Sequence, residues 1–431
     1  MKRTVLSLFC LLWIPVLVCG QSKRPQVLVY GSGADAFAAA MQSAMSNLNT
    51  VWLSPDEKLV PELTTEINAI ESNHRLDGGI WATLLARTMN HEERNDSIAA
   101  IAKKRINPQI AENVIHDLIS QYPNLTLIRG AALRSVSKSR KNWQVELSNR
   151  VRYRVRAVVD GSPDGALFRM ALPDSSVGSA RTLNPDFFQH DEYNPLMRTG
   201  VAVSDLGHPP YALPLAALVP SNETNLFSTR QLPVLQSLLT GGPADVPLLM
   251  HVGQAVGAAA SYAAFYGTTS DKLDLRSIQG EIMQYGARIV PFQDIPIEDP
   301  HVAAIQRVGA TGLLPGSFDE HGLFAFEPDK TVSTQEIAPV MHRLYSRSQI
   351  WFTDNQADTM RLSDLLSLIK YVGHRGNELE GQVEKNWQRR FELDGTYDPD
   401  MPVTRRLFAV LMDAYCKPFD VKVGPDGHIY R

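Results

Sequence analysis

Apolar and polar positions change period several times along this 431-residue chain, and the first change is the sharpest. Val27, Leu28 and Val29 form an apolar run of strand length. The segment Gly31-Ser32-Gly33-Ala34-Asp35-Ala36 breaks it, and Phe37, Ala38, Ala39 and Ala40 open an alanine-dense helix. The pattern predicts strand, tight turn and helix, and Thr50 to Ser54 predicts a second strand that completes a β-α-β unit. Residues 58–105 carry no clear period; their marks are a turn-like cluster from His74 to Gly79 and the charged patch His91-Glu92-Glu93-Arg94. Asn107 to Tyr122 predicts an amphipathic helix with Ile110, Val114, Ile115 and Leu118 on one side. Leu125 to Ile128 predicts a strand, and the segments Ala132–Val136, Trp143–Leu147 and Tyr153–Asp160 alternate as in an antiparallel meander.

After Gly267 the texture changes. Leu273 to Ala287 predicts a helix, and a proline-rich acidic stretch from Pro291 to Pro300 predicts a boundary. Residues 331–345, TVSTQEIAPVMHRLY, align without gaps to 401–415, MPVTRRLFAVLMDAY, with Thr334 and Thr404 each placed where a helix N-cap belongs. A weaker third copy lies around Ser363.

Composition adds an address. Lys2 and Arg3 precede an apolar core from Val5 to Val18, and small Gly20 precedes Gln21, the pattern of a secretory signal peptide. The apolar run is shorter than the ~20 residues that span a bilayer, and bulky Val18 argues against lipid attachment at Cys19. Cleavage after Gly20 therefore ranks first, and the mature chain is expected to be secreted or periplasmic. It would keep one cysteine, Cys416, and so form no internal disulfide. Net charge is −4 over the full chain, and no basic run points to nucleic acid. His91-Glu92 has no second histidine at i+4, and His190-Asp191-Glu192 with His208 fits no standard ligand spacing, so no metal site is expected.

The glycine turn carries the chemistry. Gly31 permits the turn, Gly33 lets a pyrophosphate approach the main chain, and small Ala36 lets helix and strand pack closely, while the helix N-terminus favours an anion. An ordinary strand-turn-helix can show the same glycines. At the end of the second strand a dinucleotide site places an Asp or Glu for the ribose. Here stands Ser54, which offers one neutral hydroxyl and predicts weakened cofactor affinity.

The order of pieces, with the stretch VVDGSPDGALF (158–168) and the block from Tyr211 to Gly267, resembles FAD-dependent oxidoreductases of the two-dinucleotide-binding Rossmann plan. Those proteins show hhDATGDGDLA after the meander. They close on an "iPyraLvP…NLlvaG" strand followed by a "mptvmalGqAaGtAA" helix. The likeness is greatest to secreted bacterial members of the xanthan-lyase-like group. It implies an α/β fold: a Rossmann-type FAD/NAD(P)-binding domain with an antiparallel meander, then a mostly α-helical C-terminal domain.

It also implies FAD as cofactor, contacted by Gly31, Ser32, Gly33, Ala36, Ser54, Asp160, Gly161, Asp164, Gly253, Gln254 and Gly257. Gly253 is expected to begin the closing helix, its N–H groups facing the flavin N1 and O2 region. His251, the titratable side chain beside that turn, is the acid/base candidate. The implied organisation is a signal peptide (1–20), FAD-binding segments (21–172 and 211–292), a reduced substrate or cap region (173–210), and a helical repeat-like module (293–431). That module resembles an S-layer-homology unit and is expected to contact the cell envelope. Two functions follow: flavin-mediated hydride or electron transfer on an unidentified small molecule, carbohydrate-derived by the resemblance, or a non-catalytic Rossmann scaffold that binds at the cell surface.

Overall fold

In a computed structural model, residues 24–172, 183, 185–188, 194–220 and 224–430 are described. The expected signal peptide and His190-Asp191-Glu192 lie outside them. Strands β1 (Val27–Tyr30), β2 (Thr50–Leu53) and β3 (Leu125–Ile128) are joined by helix α1 (Ala34–Met45) and by α2 (Pro61–Thr64), α3 (Gly79–Thr88), α4 (Asp96–Lys103) and α5 (Pro108–Ser120). β4 (Leu133–Ser139), β5 (Asn142–Leu147) and β6 (Arg152–Val155) follow and pair antiparallel. The segment expected as one strand from Tyr153 to Asp160 divides at Arg156, because β7 (Ala157–Asp160) leaves the meander and enters the main sheet. That sheet is wholly parallel, in the order β10-β7-β1-β2-β3, with β10 at Leu226–Ser228. Every residue of β1, β2 and β7 is buried, as expected of a parallel sheet covered on both faces.

Helix α6 (Ala166–Ala171) follows β7, and β8 (Gly200–Ser204), in the expected cap region, pairs with β9 (Tyr211–Pro214), which opens the expected closing segment. Two short helices, α7 (Leu215–Leu218) and α8 (Pro233–Leu238), precede α9 (Val246–Tyr266), which lies against α1. The segment Pro243–Tyr266 is long and apolar enough to cross a membrane, but 89% of its apolar window is buried inside the protein, so it serves as a core helix. Its close approach to α1 depends on two glycines one turn apart. A Cβ at Gly253 would lie 2.9 Å from Asp35 Cα, and one at Gly257 would lie 2.6 Å from Ala39 O.

α10 (Leu275–Gln284) and six further helices complete the chain: α11 (Val302–Gly309), α12 (Thr334–Leu344), α13 (Ser348–Asp354), α14 (Leu362–Gly373), α15 (Glu378–Asn386) and α16 (Arg405–Tyr415). Thr404 caps α16, its hydroxyl accepting from Leu407 N. In the echoed segment the cap falls one residue earlier, on Ser333, because Thr334 instead donates its hydroxyl to Ala357 O. One apolar core runs from β1 through α9 into α16. Phe292 is stacked on Phe324 at 5.9 Å, so the expected division at 292/293 passes through a packed aromatic cluster. Ile110, expected on the buried side of its helix, is 45% exposed.

Candidate functional site

The glycine turn sits where the pattern places it, at the carboxyl end of β1 and opening α1. Gly31 has φ +138°, and a Cβ there would fall 2.6 Å from the Gly161 carbonyl carbon. Gly161 in turn lies against Ala36, whose methyl would be 2.9 Å from a Cβ at Gly161. The three small residues therefore bring β1, α1 and the loop after β7 into contact.

Above Gly33 the space is occupied by the chain itself. A Cβ on Gly33 would collide with Arg230 Nη2 and would lie 2.8 Å from both Asp35 Oδ1 and Glu62 Oε1. Arg230 donates from Nε (3.0 Å) and Nη2 (2.8 Å) to Asp35 Oδ1, and from Nη2 to Glu62 Oε1 at 2.5 Å. The Thr229 hydroxyl donates to Asp35 Oδ2, and the Asp35 side chain is fully buried. Burial works against the charge on Arg230, but the Asp35 and Glu62 carboxylates outweigh it and raise its pKa. Asp35 in the first turn of α1 also complements the helix dipole, the electrostatic role a bound phosphate would play. In the "NLlvaG" pattern the last position is glycine. This chain has Arg230, so a cation stands where the pattern has no side chain.

Ser54, expected at the ribose position, is closed off in a similar way. Ser54 is fully buried, its hydroxyl 2.8 Å from Ser32 Oγ, and it donates to Asp56 O at 2.7 Å. Ser32 Oγ accepts from Asp56 N at 3.2 Å, and Ser32 O accepts from Val60 N, so the loop after β2 folds over the turn. Asp160 is likewise used internally: Oδ1 accepts from Ser162 N at 2.9 Å and Oδ2 from Phe168 N at 2.8 Å, anchoring the start of α6. Burial raises the Asp160 pKa against these bonds. Asp164 is the exposed one, paired on the surface with Arg169.

The closing-helix residues are placed differently from expectation. α9 starts at Val246, two turns before Gly253, so Gly253 and Gly257 lie in mid-helix and serve the contact with α1. Gln254 ties three helices: Oε1 accepts from Ile80 N at 3.1 Å, and Nε2 donates to Gln42 Oε1 at 2.9 Å. His251 is 4% exposed, and its Nδ1–H donates to Val203 O at 2.8 Å. Its Nε2 has no hydrogen-bond partner among the described residues. Burial pushes its pKa down to about 4, although the Val203 and Gly78 carbonyls favour the charged form. The ring is a buried, neutral group packed under β8.

A pH dependence follows. The folded chain keeps His251 neutral, whereas the unfolded chain takes a proton below about 6.5, so its contribution is present above that pH and is lost as pH falls towards 4. The loss is up to about 3 kcal/mol. His251→Asn, which can retain the bond to Val203, is expected to flatten this slope in urea unfolding measured between pH 4.5 and 7.

Next to His251 lies a buried ionic cluster that the sequence did not suggest. Lys103 Nζ is 2.7 Å from Asp77 Oδ2, with side chains 8% and 3% exposed, and it also donates to Ser72 O and Asn73 O. Trp81 Nε1 donates to Asp77 Oδ1, and Arg288 joins Asp77 O to Asp96. Every charge has a partner, as a structural cluster requires. Among the described residues no group of acidic, histidine and cysteine side chains could hold a metal.

As arranged, an arginine and two carboxylates occupy the approach to the glycine turn and the serine hydroxyls bond to the chain, so a pyrophosphate could reach Gly33 only after Arg230 moves aside. No curated protein matches the chain. Solved structures that match include bacillithiol disulfide reductase from Staphylococcus aureus (10% identity, TM-score 0.22, covering 32% of this chain and 38% of that one). T. acidophilum thioredoxin reductase gives 15% identity and TM-score 0.21, with 32% and 35% covered. p-Nitrophenol 4-monooxygenase from Pseudomonas putida gives 11% identity and TM-score 0.22, with 33% and 42% covered. The chain thus spans less than half the length of each, and scores this low carry no functional argument. Residues 26–186, less than half of the chain, match the family described as FAD dependent oxidoreductase, and this match supports FAD as the cofactor and flavin redox as the associated chemistry.

Proposed function

We propose that this chain is an exported FAD-binding protein of the oxidoreductase type whose dinucleotide crevice is held shut by its own ion pairs. The family match over the glycine turn and the meander supports the cofactor. The observation that carries the proposal further is Arg230 lying on Gly33 between Asp35 and Glu62. FAD binding requires those three side chains to rearrange, and the affinity is correspondingly weak. When bound, flavin would supply hydride or electron transfer. The substrate is a small molecule, with carbohydrate-derived compounds favoured by the resemblance to the xanthan-lyase-like group. Residues 293–431, with their echoed helices and S-layer-homology-like sequence, are the part we assign to envelope contact.

A second reading, a non-catalytic scaffold, is favoured by the same closure and by the internal use of Ser54 and Asp160. The two are separated by the purified mature protein at saturating FAD. A redox flavoprotein gains thermal stability and its bound flavin bleaches on reduction with dithionite. A melting midpoint that does not move selects the scaffold.

A further inference from the structure

The glycine turn lies at the carboxyl edge of the parallel sheet, and a second feature lies at the opposite edge. A cavity of about 690 Å³ opens beside Arg156, which precedes β7, and Asn225, which precedes β10. Its lining includes Lys138, Arg140, Lys141, Arg156 and Lys272, and among the described residues that form it there is no acidic side chain and no aromatic ring. Five cations in one hollow run against the sign of the chain, whose net charge is −4. Such a local field concentrates anions.

The wall also carries unused hydrogen-bonding capacity. Asn225 is 7% exposed, and its orientation is fixed by Nδ2 donating to Thr268 O at 2.9 Å and by its backbone N donating to Ser270 Oγ at 3.3 Å. Asn225 Oδ1 and Thr269 Oγ1, both in the lining, have no hydrogen-bond partner among the described residues. Orphan buried polar atoms are uncommon and call for a partner. Arg156 is held in place by donating from Nη1 to Ala264 O at 2.7 Å in the last turn of α9. A cation cluster beside an amide oxygen and a hydroxyl that lack partners among the described residues matches a ligand that carries both negative charge and hydroxyl groups. The absence of a ring in the lining disfavours stacked nucleobases, and the volume suits a molecule of one or two sugar units.

We infer that this cavity is a binding site for a small polyhydroxylated anion, either a sugar phosphate or an acidic disaccharide, independent of the FAD crevice. Isothermal titration of the full chain with fructose 1,6-bisphosphate and with a sulfated chondroitin disaccharide tests it. Maltose and inorganic sulfate at matched ionic strength serve as controls. One of the two anionic sugars is expected to bind, more weakly in 0.5 M NaCl, and the one that binds identifies the source. Lys141→Ala/Lys272→Ala, two exposed positions, is expected to weaken that binding about tenfold or more, with the thermal midpoint of the free protein unchanged. The inference is overturned if neither sugar binds, if the double variant binds as the parent does, or if sulfate alone binds as well as the sugar.

Discussion

Replacing Arg230 with alanine is expected to destabilise the folded chain by about 3–5 kcal/mol, because removing one member of a buried ion pair leaves an uncompensated charge. Asp35 would keep only the Thr229 hydroxyl on Oδ2, and its Oδ1 would lose two donors. Glu62, whose Oε2 already lacks a partner among the described residues, would lose the donor on Oε1. Urea unfolding at neutral pH measures the effect. Adding Asp35→Ser to the Arg230→Ala chain removes the stranded carboxylate and is expected to recover most of the loss. A single variant as stable as the parent would mean that the guanidinium is not buried between the two acids.

The second large effect is expected at Gly253. Its Cα faces the backbone of Asp35 across the α1–α9 contact, and a valine there collides with main-chain atoms that cannot move without separating the helices. Overpacking commonly costs about 1–3 kcal/mol, and a clash with backbone lies at or beyond the top of that range. Gly253→Val should therefore yield little soluble protein. Gly280 supplies the control, since it lies within α10 and a Cβ there meets nothing within 4 Å. Gly280→Ala is expected to stabilise by up to about 1 kcal/mol through helix propensity. If Gly253→Val folded normally, the closing helix would not approach α1 as closely as described.

These two sites also show what the sequence could reveal. The unit from β1 to β2 was legible because its signals are local: an apolar run, two glycines two residues apart, and an alanine-rich helix. α9 starts at Val246 and not at the expected Gly253, and Pro247 in its first turn is a common helix beginning. Helix α4 carries no clear period although Asn95 caps it, because residues 98–102 are apolar without interruption while Ile101 is 51% exposed. The Arg230 closure had no local signal at all. Its partners Asp35 and Glu62 lie 195 and 168 residues away, and only the fold of the sheet brings β10 beside α1. The Lys103–Asp77 pair is hidden in the same way at a shorter separation, since neither neighbouring sequence marks a buried charge.

In the proposed function a FAD-type crevice is present and is closed by Arg230. Equilibrium titration with FAD, followed by flavin fluorescence, of the parent chain and of Asp35→Ser/Glu62→Gln tests it most directly. The double variant removes both carboxylates and leaves the guanidinium beside Gly33, free to pair with a phosphate. Weak binding is expected of the parent and binding at least about tenfold tighter of the variant, consistent with a charge-assisted bond of roughly 1.5–3 kcal/mol. Equal affinity in the two proteins would contradict closure by Arg230, and no binding by either, with both folded, would contradict the crevice itself.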